Sequence, residues 1–216
     1  MSGPRRPSAP ATEPGSPADA RLFAPAAERN LEAVGAALEP HLSGRSGTLL
    51  EIGSGTGQHA ADWAARFPGL AVRPSDPDPA HRASIAAWAQ AADGPAPLPP
   101  LDLDVTEPWP DLGPLAAVVS LNVIHIAPWA VAEALVAGAA RRLGPGGVLI
   151  LYGPFREGGA HTAESNARFD ASLRARDPDW GVRDLDEVAA LAAAAGFGPA
   201  EVTRMPANNL LVAFAR

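Results

Sequence analysis

The run Thr48-Leu49-Leu50-Glu51-Ile52-Gly53-Ser54-Gly55-Thr56-Gly57 constrains this chain more than any other stretch. Its first half is apolar and too short for a buried helix, so it reads as a strand. Its second half places three glycines in five residues. Glycine adopts left-handed backbone without strain and lets a ligand approach the main chain closely. The residues beyond run as a helix to about Phe67, where Pro68-Gly69 stop it. A strand that enters a helix through such a turn opens a parallel α/β sheet. Ligands of such sheets bind outside the carboxyl ends of the strands.

The rest of the chain repeats this unit. Leu31, Val34 and Leu38 fall at i, i+3 and i+7 and predict a helix over 25–39, with Pro25 near its start. Leu70 to Pro74 predicts a second strand and Pro79 to Ala92 a helix. Leu98 to Leu103 is the third strand candidate and Leu115 to Asn122 the fourth. A helix opened by Pro128 is closed by Gly144-Pro145-Gly146-Gly147, before a fifth strand from Val148 to Tyr152. Helices near 163–175 and 185–195 follow, the second with Asp184 and Glu187 as an N-terminal capping pair. Two strands, near 200–204 and 210–215, end the chain with no helix between them and so pair antiparallel. The expected class is α/β: a doubly wound, mostly parallel seven-stranded sheet with one antiparallel C-terminal strand.

Residues 1–18 differ, with five prolines, two glycines and alanine as the only apolar type beyond Met1. They are expected to form a disordered tail, because they bury too little surface to offset ordering. Residues 19–216 are expected to form one domain.

Composition removes several chemistries. The chain has no cysteine and no lysine, all 17 basic residues being arginine. Disulfides, thiolate nucleophiles, Cys-based zinc sites, Schiff bases and the lysine-bearing phosphate loop are therefore excluded. A net charge of −7 has the wrong sign for a protein held on nucleic acid by its overall charge. His41, His59 and His81 have no partners at ligand spacing, so no metal is expected. The N-terminus lacks the apolar stretch of a signal peptide, and the uncharged run 112–132 is broken by Gly113, Pro114, Asn122, His125 and Pro128. A cytoplasmic protein without membrane or nucleic-acid partners is the expectation.

Asp76 follows Gly57 by 19 residues, at the end of the second strand, where a carboxylate can bind the ribose hydroxyls of a nucleoside. The third glycine comes one residue earlier than in the dinucleotide pattern G-x-G-x-x-G. Glu51, two residues before the first glycine, would repel a pyrophosphate and favour an ammonium group. Both features count against a nicotinamide-dependent oxidoreductase.

The turn resembles the first motif of the class I S-adenosylmethionine-dependent methyltransferases. That resemblance implies that Glu51, Gly53 and Gly55, with Ser54 and Gly57 beside them, hold the methionine part of the cofactor, and that Asp76 holds its ribose. It also implies that Asp104, better than Asp102, faces the adenine amino group, with Val105 next to it. A narrower resemblance rests on Phe23-Ala24-Pro25-Ala26-Ala27-Glu28-Arg29-Asn30, Pro74-Ser75-Asp76, Leu121-Asn122-Val123-Ile124-His125-Ile126 and Leu151-Tyr152-Gly153-Pro154-Phe155. The stretches 162–173 and 177–184 and the terminal Asn208-Asn209 extend it. These blocks are similar to the DUF938 family, to which methyltransferase-like protein 26 belongs, over about residues 21–216. The resemblance implies the methyltransferase fold and S-adenosylmethionine as cofactor.

The acceptor side is expected where the fourth and fifth strands end. His125 is either a general base or a loop hydrogen-bonder, and Asn122, expected to touch the cofactor as well, either orients the acceptor or caps the strand. Tyr152, Pro154 and Phe155 are expected to wall the pocket, with Asn166 and Phe169 contributed by the next helix. The expected reaction passes a methyl group to a small-molecule acceptor. A non-catalytic cofactor-binding module acting through a protein partner is the other reading.

Overall fold

The computed structural model describes residues 20–216, and the Pro-rich segment 1–18 lies outside the described residues. Helix α1 (Pro25–Leu42) starts with proline at its first turn, where the missing N–H costs nothing. It buries Val34, Leu38 and Leu42 along one stripe and runs through Pro40, three residues beyond the expected end at 39. Burial of Leu42, 1% exposed, outweighs the helix-breaking tendency of a proline in the last turn.

Strand β1 (Gly47–Ile52) leads through the glycine turn into α2 (Gln58–Arg66). Strand β2 (Leu70–Ser75) and helix α3 (Pro79–Gln90) follow, the helix capped by the Asp78 side chain, which accepts from the Ala80 N–H. Next come β3 (Leu115–Leu121), α4 (Trp129–Arg142) and β4 (Leu143–Gly153). A two-residue hairpin, β5 (Arg156–Glu157) with β6 (Ala160–His161), precedes α5 (Glu164–Arg174) and α6 (Leu185–Ala194). Strands β7 (Glu201–Met205) and β8 (Asn209–Ala215) complete the chain.

The sheet has the order β2-β1-β3-β4-β8-β7. The β1–β2, β1–β3 and β3–β4 pairs are parallel, while β8 runs antiparallel to both β4 and β7. The sheet is therefore doubly wound with one reversed strand, but it has six strands rather than seven. The expected strand at 98–103 makes a single bridge, Leu101 to Ser75. Pro97, Pro99 and Pro100 have no N–H to donate, so this segment sustains no ladder beyond the N–H bonds of Leu98 to the Val72 carbonyl and of Leu101 to the Pro74 carbonyl, and the Asp76 N–H to the Leu101 carbonyl.

Strand alternation distributes the core over both faces. Leu49, Val72, Ala117, Val119, Ile150 and Leu211 pack with α1 and α2. Leu50, Val118, Leu149, Leu151, Val212 and Phe214 pack with α4 and α6. The register aligns the carboxyl ends of the parallel strands: Ile52 lies opposite Ser75 and Ser120, and Leu121 opposite Tyr152. Gly53, Asp76, Asn122 and Gly153 consequently come off one edge of the sheet. Among the described residues no helix is long and apolar enough to cross a membrane.

Candidate active site

The glycine turn is pinned by its own hydrogen bonds. Ser54 donates its N–H to the Ser75 carbonyl (2.9 Å), Ser75 donates its N–H to Ser54 Oγ (3.1 Å), and Ser75 Oγ donates to the Glu51 carbonyl (2.6 Å). Gly53, Gly55 and Gly57 all have positive φ. Two of them also admit no side chain. A Cβ on Gly53 would lie 2.4 Å from Val123 Cγ2, and one on Gly57 would lie 2.9 Å from the Ile85 Cα. At Gly55 nothing lies within 4 Å of such an atom, so here the turn presents open backbone.

Asp76 is buried and accepts the Gly55 N–H at Oδ2 (2.9 Å) and the Asp78 N–H at Oδ1 (2.9 Å), with His81 Nδ1 at 3.1 Å from Oδ1. The carboxylate thus ties the end of β2 to the turn after β1. A carboxylate has about four lone-pair sites, so acceptor capacity remains beside these contacts.

Glu51 is 2% exposed, and its Oε2 has no hydrogen-bond partner. Burial pushes its carboxyl up to about 7; a hydrogen bond with Ser54 opposes the shift and the nearby Asp76 charge adds to it. A buried, underpartnered acid of this kind is ready to meet a cation. The structure therefore brings Glu51, Gly53, Ser54, Gly55, Gly57 and Asp76 into one cluster. Among the described residues, Asp104 shares no hydrogen bond with that cluster. That residue is exposed, and its carboxylate accepts from Thr106 N–H (2.9 Å) and Oγ1 (2.7 Å), bonds that hold it below the usual range. Val105 packs into the core, where its carbonyl accepts from Trp109 Nε1 (3.1 Å).

On the acceptor side a cavity of about 630 Å³ opens between α1, α5 and the β7–β8 turn. Asn122, Tyr152, Asn166 and Phe169 all line it. Asn122 stands in the left-handed region (φ 63°), which asparagine tolerates better than most residues. Tyr152 is buried to its hydroxyl, which accepts from Asn209 Nδ2 (2.9 Å) and Asn30 Nδ2 (3.4 Å). Asn166 donates to the Asn208 carbonyl (2.9 Å) and so joins α5 to the turn before β8.

Two expected residues lie elsewhere. Phe155 is fully buried in the α4–α6 core and does not line the cavity. Beyond the end of β4 the strand alternation lapses, and Phe155 turns inward to meet the His125 ring edge-on at 4.9 Å. His125 is also sealed from solvent. Its Nδ1 accepts the Arg183 N–H (3.2 Å), its Nε2 has no partner, and desolvation together with the Arg183 charge lowers its pKa to about 3. The ring is neutral and enclosed, held to the 181–183 segment by its Nδ1, with its free Nε2 turned toward Gly153.

Arg29, Asn30 and Asn209 are cavity residues that sequence reading did not single out. The only signal for them was their presence in the unusual blocks at 23–30 and 208–209. Asn30 Oδ1 is buried without a partner. Among the described residues no cluster of three or more histidines and carboxylates suits a metal ion.

The family model described as "Protein of unknown function (DUF938)" matches residues 21–216. Among solved structures, an O-methyltransferase family protein from Burkholderia thailandensis superposes with a TM-score of 0.75 at 17% identity, covering 88% of this chain and 56% of that one. Human N-acetylserotonin methyltransferase in complex with S-adenosylmethionine gives 0.70 at 15%, covering 88% and 52%. Magnesium protoporphyrin IX methyltransferase from Synechocystis PCC 6803, with bound S-adenosylhomocysteine, gives 0.65 at 18%, covering 88% and 83%. The chain spans little more than half the length of the first two. The likeness is one of fold.

Proposed function

The chain belongs to the DUF938 family, and from that premise we propose that it is an S-adenosylmethionine-dependent methyltransferase acting on a small-molecule acceptor. One observation carries the reading: Glu51, buried with an unpartnered oxygen, stands beside a turn of left-handed glycines that is open at Gly55. Such a site suits a ligand with an ammonium group and a nucleoside, and suits a pyrophosphate poorly. The solved relatives, two of them holding S-adenosylmethionine or S-adenosylhomocysteine, support the same reading.

When bound, the cofactor supplies a methyl group on an electrophilic sulfonium. The chain's own residues do the rest. Glu51 in its ionised form would meet the ammonium, and the Gly55 backbone would approach the ligand where no Cβ intervenes. Asp76 holds that backbone in place and keeps acceptor capacity for ribose hydroxyls. Val123 packs against Gly53 and brings Asn122 beside the turn, so the cavity adjoins the cofactor cluster. Methyl transfer is an in-line displacement, for which alignment of the acceptor is the protein's main contribution.

Isothermal titration of the chain with S-adenosylhomocysteine, with NAD and NADP as parallel ligands, tests the reading. Micromolar binding of S-adenosylhomocysteine alone is expected. Binding of a nicotinamide cofactor instead would replace the methyltransferase with an oxidoreductase, and binding of none would leave a module acting through a partner.

A further inference from the structure

The acceptor cavity has a chemistry of its own. Among the described residues no carboxylate lines it, although the chain as a whole is acidic at −7. Its one charged side chain is Arg29, which forms no ion pair or hydrogen bond among the described residues. The first turns of two helices open onto it, Ala26 of α1 and Ser165 of α5, and neither helix has a side-chain cap. Helix N-termini carry partial positive charge, offset in part here by Glu28 and Glu164 in the two first turns, and residues of both line the same space as Arg29. Phe169, 39% exposed, offers an apolar surface beside them, with Pro154 and Pro206.

Among the described residues that line it there is no imidazole, carboxylate or amine to take a proton, and His125 lies buried behind Gly153. A phenol, alcohol or protonated amine would need to lose a proton before or during attack. A carboxylate needs to lose none, being already ionised at neutral pH.

We propose that the acceptor is a small carboxylic acid with an apolar body, bound as its anion by Arg29 and the two helix N-termini and converted to its methyl ester. The proposal rests on the methyltransferase reading above. In the step, a carboxylate oxygen forms the new bond to the methyl carbon, and the pair of the breaking carbon–sulfur bond goes to sulfur. The sulfonium charge and the carboxylate charge vanish together, and no proton is released.

The test uses the full chain loaded with S-adenosylhomocysteine, titrated with a panel of aryl and alkyl monocarboxylates and their matched carboxamides. At least one acid is expected to bind about tenfold more tightly than its amide, the scale of one charge-assisted contact. Arg29→Gln should abolish that difference while leaving the affinity for S-adenosylhomocysteine unchanged. With methyl-labelled S-adenosylmethionine and the same acids, the label should enter a product that releases methanol in mild alkali. Acids and amides that bind alike, an Arg29→Gln variant that keeps the preference, or a label stable to alkali would each overturn the proposal. Failure of S-adenosylhomocysteine to bind would remove the methyltransferase reading itself, and so separates the two.

Discussion

On the proposed reading, burial of Glu51 makes cofactor binding a pH-linked event. The carboxyl titrates at about 7 in the free chain, against an ordinary value of 4.5. Its folded pKa is raised, so between pH 4.5 and 7 the folded state holds a proton that the unfolded state has lost. Stability contributed by this group is therefore present at low pH and lost as pH rises through 7, by about 3 kcal/mol from 2.5 units. An ammonium ligand requires the ionised form, and its amino group stays protonated throughout this range. The apparent dissociation constant for S-adenosylhomocysteine then scales as one plus the ratio of protonated to ionised Glu51. Relative to the fully ionised carboxylate, that is about twofold weaker at pH 7, about tenfold at pH 6 and about a hundredfold at pH 5. Titration calorimetry in two buffers of different ionisation enthalpy should show nearly one proton released on binding at pH 6 and a much smaller release at pH 7.5. The Glu51→Gln variant should lose the proton release, bind weakly at every pH, and be more stable than the parent without ligand at pH 8. A parent chain whose affinity is level from pH 5 to 8, or a variant that keeps the slope, would refute the reasoning.

Four further outcomes rest on the geometry and on burial. Gly57→Ala forces both a left-handed alanine and a 2.9 Å contact with the Ile85 backbone, and should cost about 2–4 kcal/mol in chemical denaturation. Gly55→Ala meets nothing within 4 Å and should cost only about 1–2 kcal/mol of stability, yet it should abolish S-adenosylhomocysteine binding. Phe155→Ala should destabilise by about 3–5 kcal/mol in denaturant titration, as a core residue does, with the acceptor cavity retained. Desolvation lowers His125 to about 3 and His59 to about 4, so each contributes stability that is present above 6.5 and lost as pH falls. By pH 4 each accounts for about 3 kcal/mol of loss, of which re-protonation of Glu51 returns about 3, so unfolding free energy measured from pH 8 to 4 should fall by roughly 3 kcal/mol.

The cofactor half of the site was legible because it is local. Residues 48–76 form one βαβ unit, and its glycines, Glu51 and Asp76 are spaced by backbone geometry that a sequence displays directly. The strand at 98–103 misled because apolar alternation counts side chains, whereas a ladder counts N–H donors, and prolines remove them. Phe155 misled for a related reason. Its distance from Tyr152 fixes its face only while the strand continues, and β4 ends at Gly153. The acceptor half was only partly legible, since it joins residues from both ends of the chain. Asn30 meets Tyr152 across 122 positions, and Asn166 meets the Asn208 carbonyl across 42. Single polar residues at such separations carry no periodicity to read.

Asn122 is where these two halves become one site. Its N–H donates to the Tyr152 carbonyl (2.7 Å), and its own carbonyl accepts the His125 N–H (3.1 Å). Both bonds depend on the left-handed turn at φ 63°, which reverses the chain straight after β3. That reversal sets Val123 against Gly53 on the cofactor side and the Asn122 side chain against Gly153 and the cavity on the other. It also rolls His125 inward, where Phe155 and Arg183 hold it. A buried neutral histidine therefore packs behind the turn that presents Asn122 to the cavity. The sealing of His125 and the presentation of Asn122 to the cavity are then consequences of one reversal, and the proposed carboxylate acceptor, which has no proton to lose, is consistent with it.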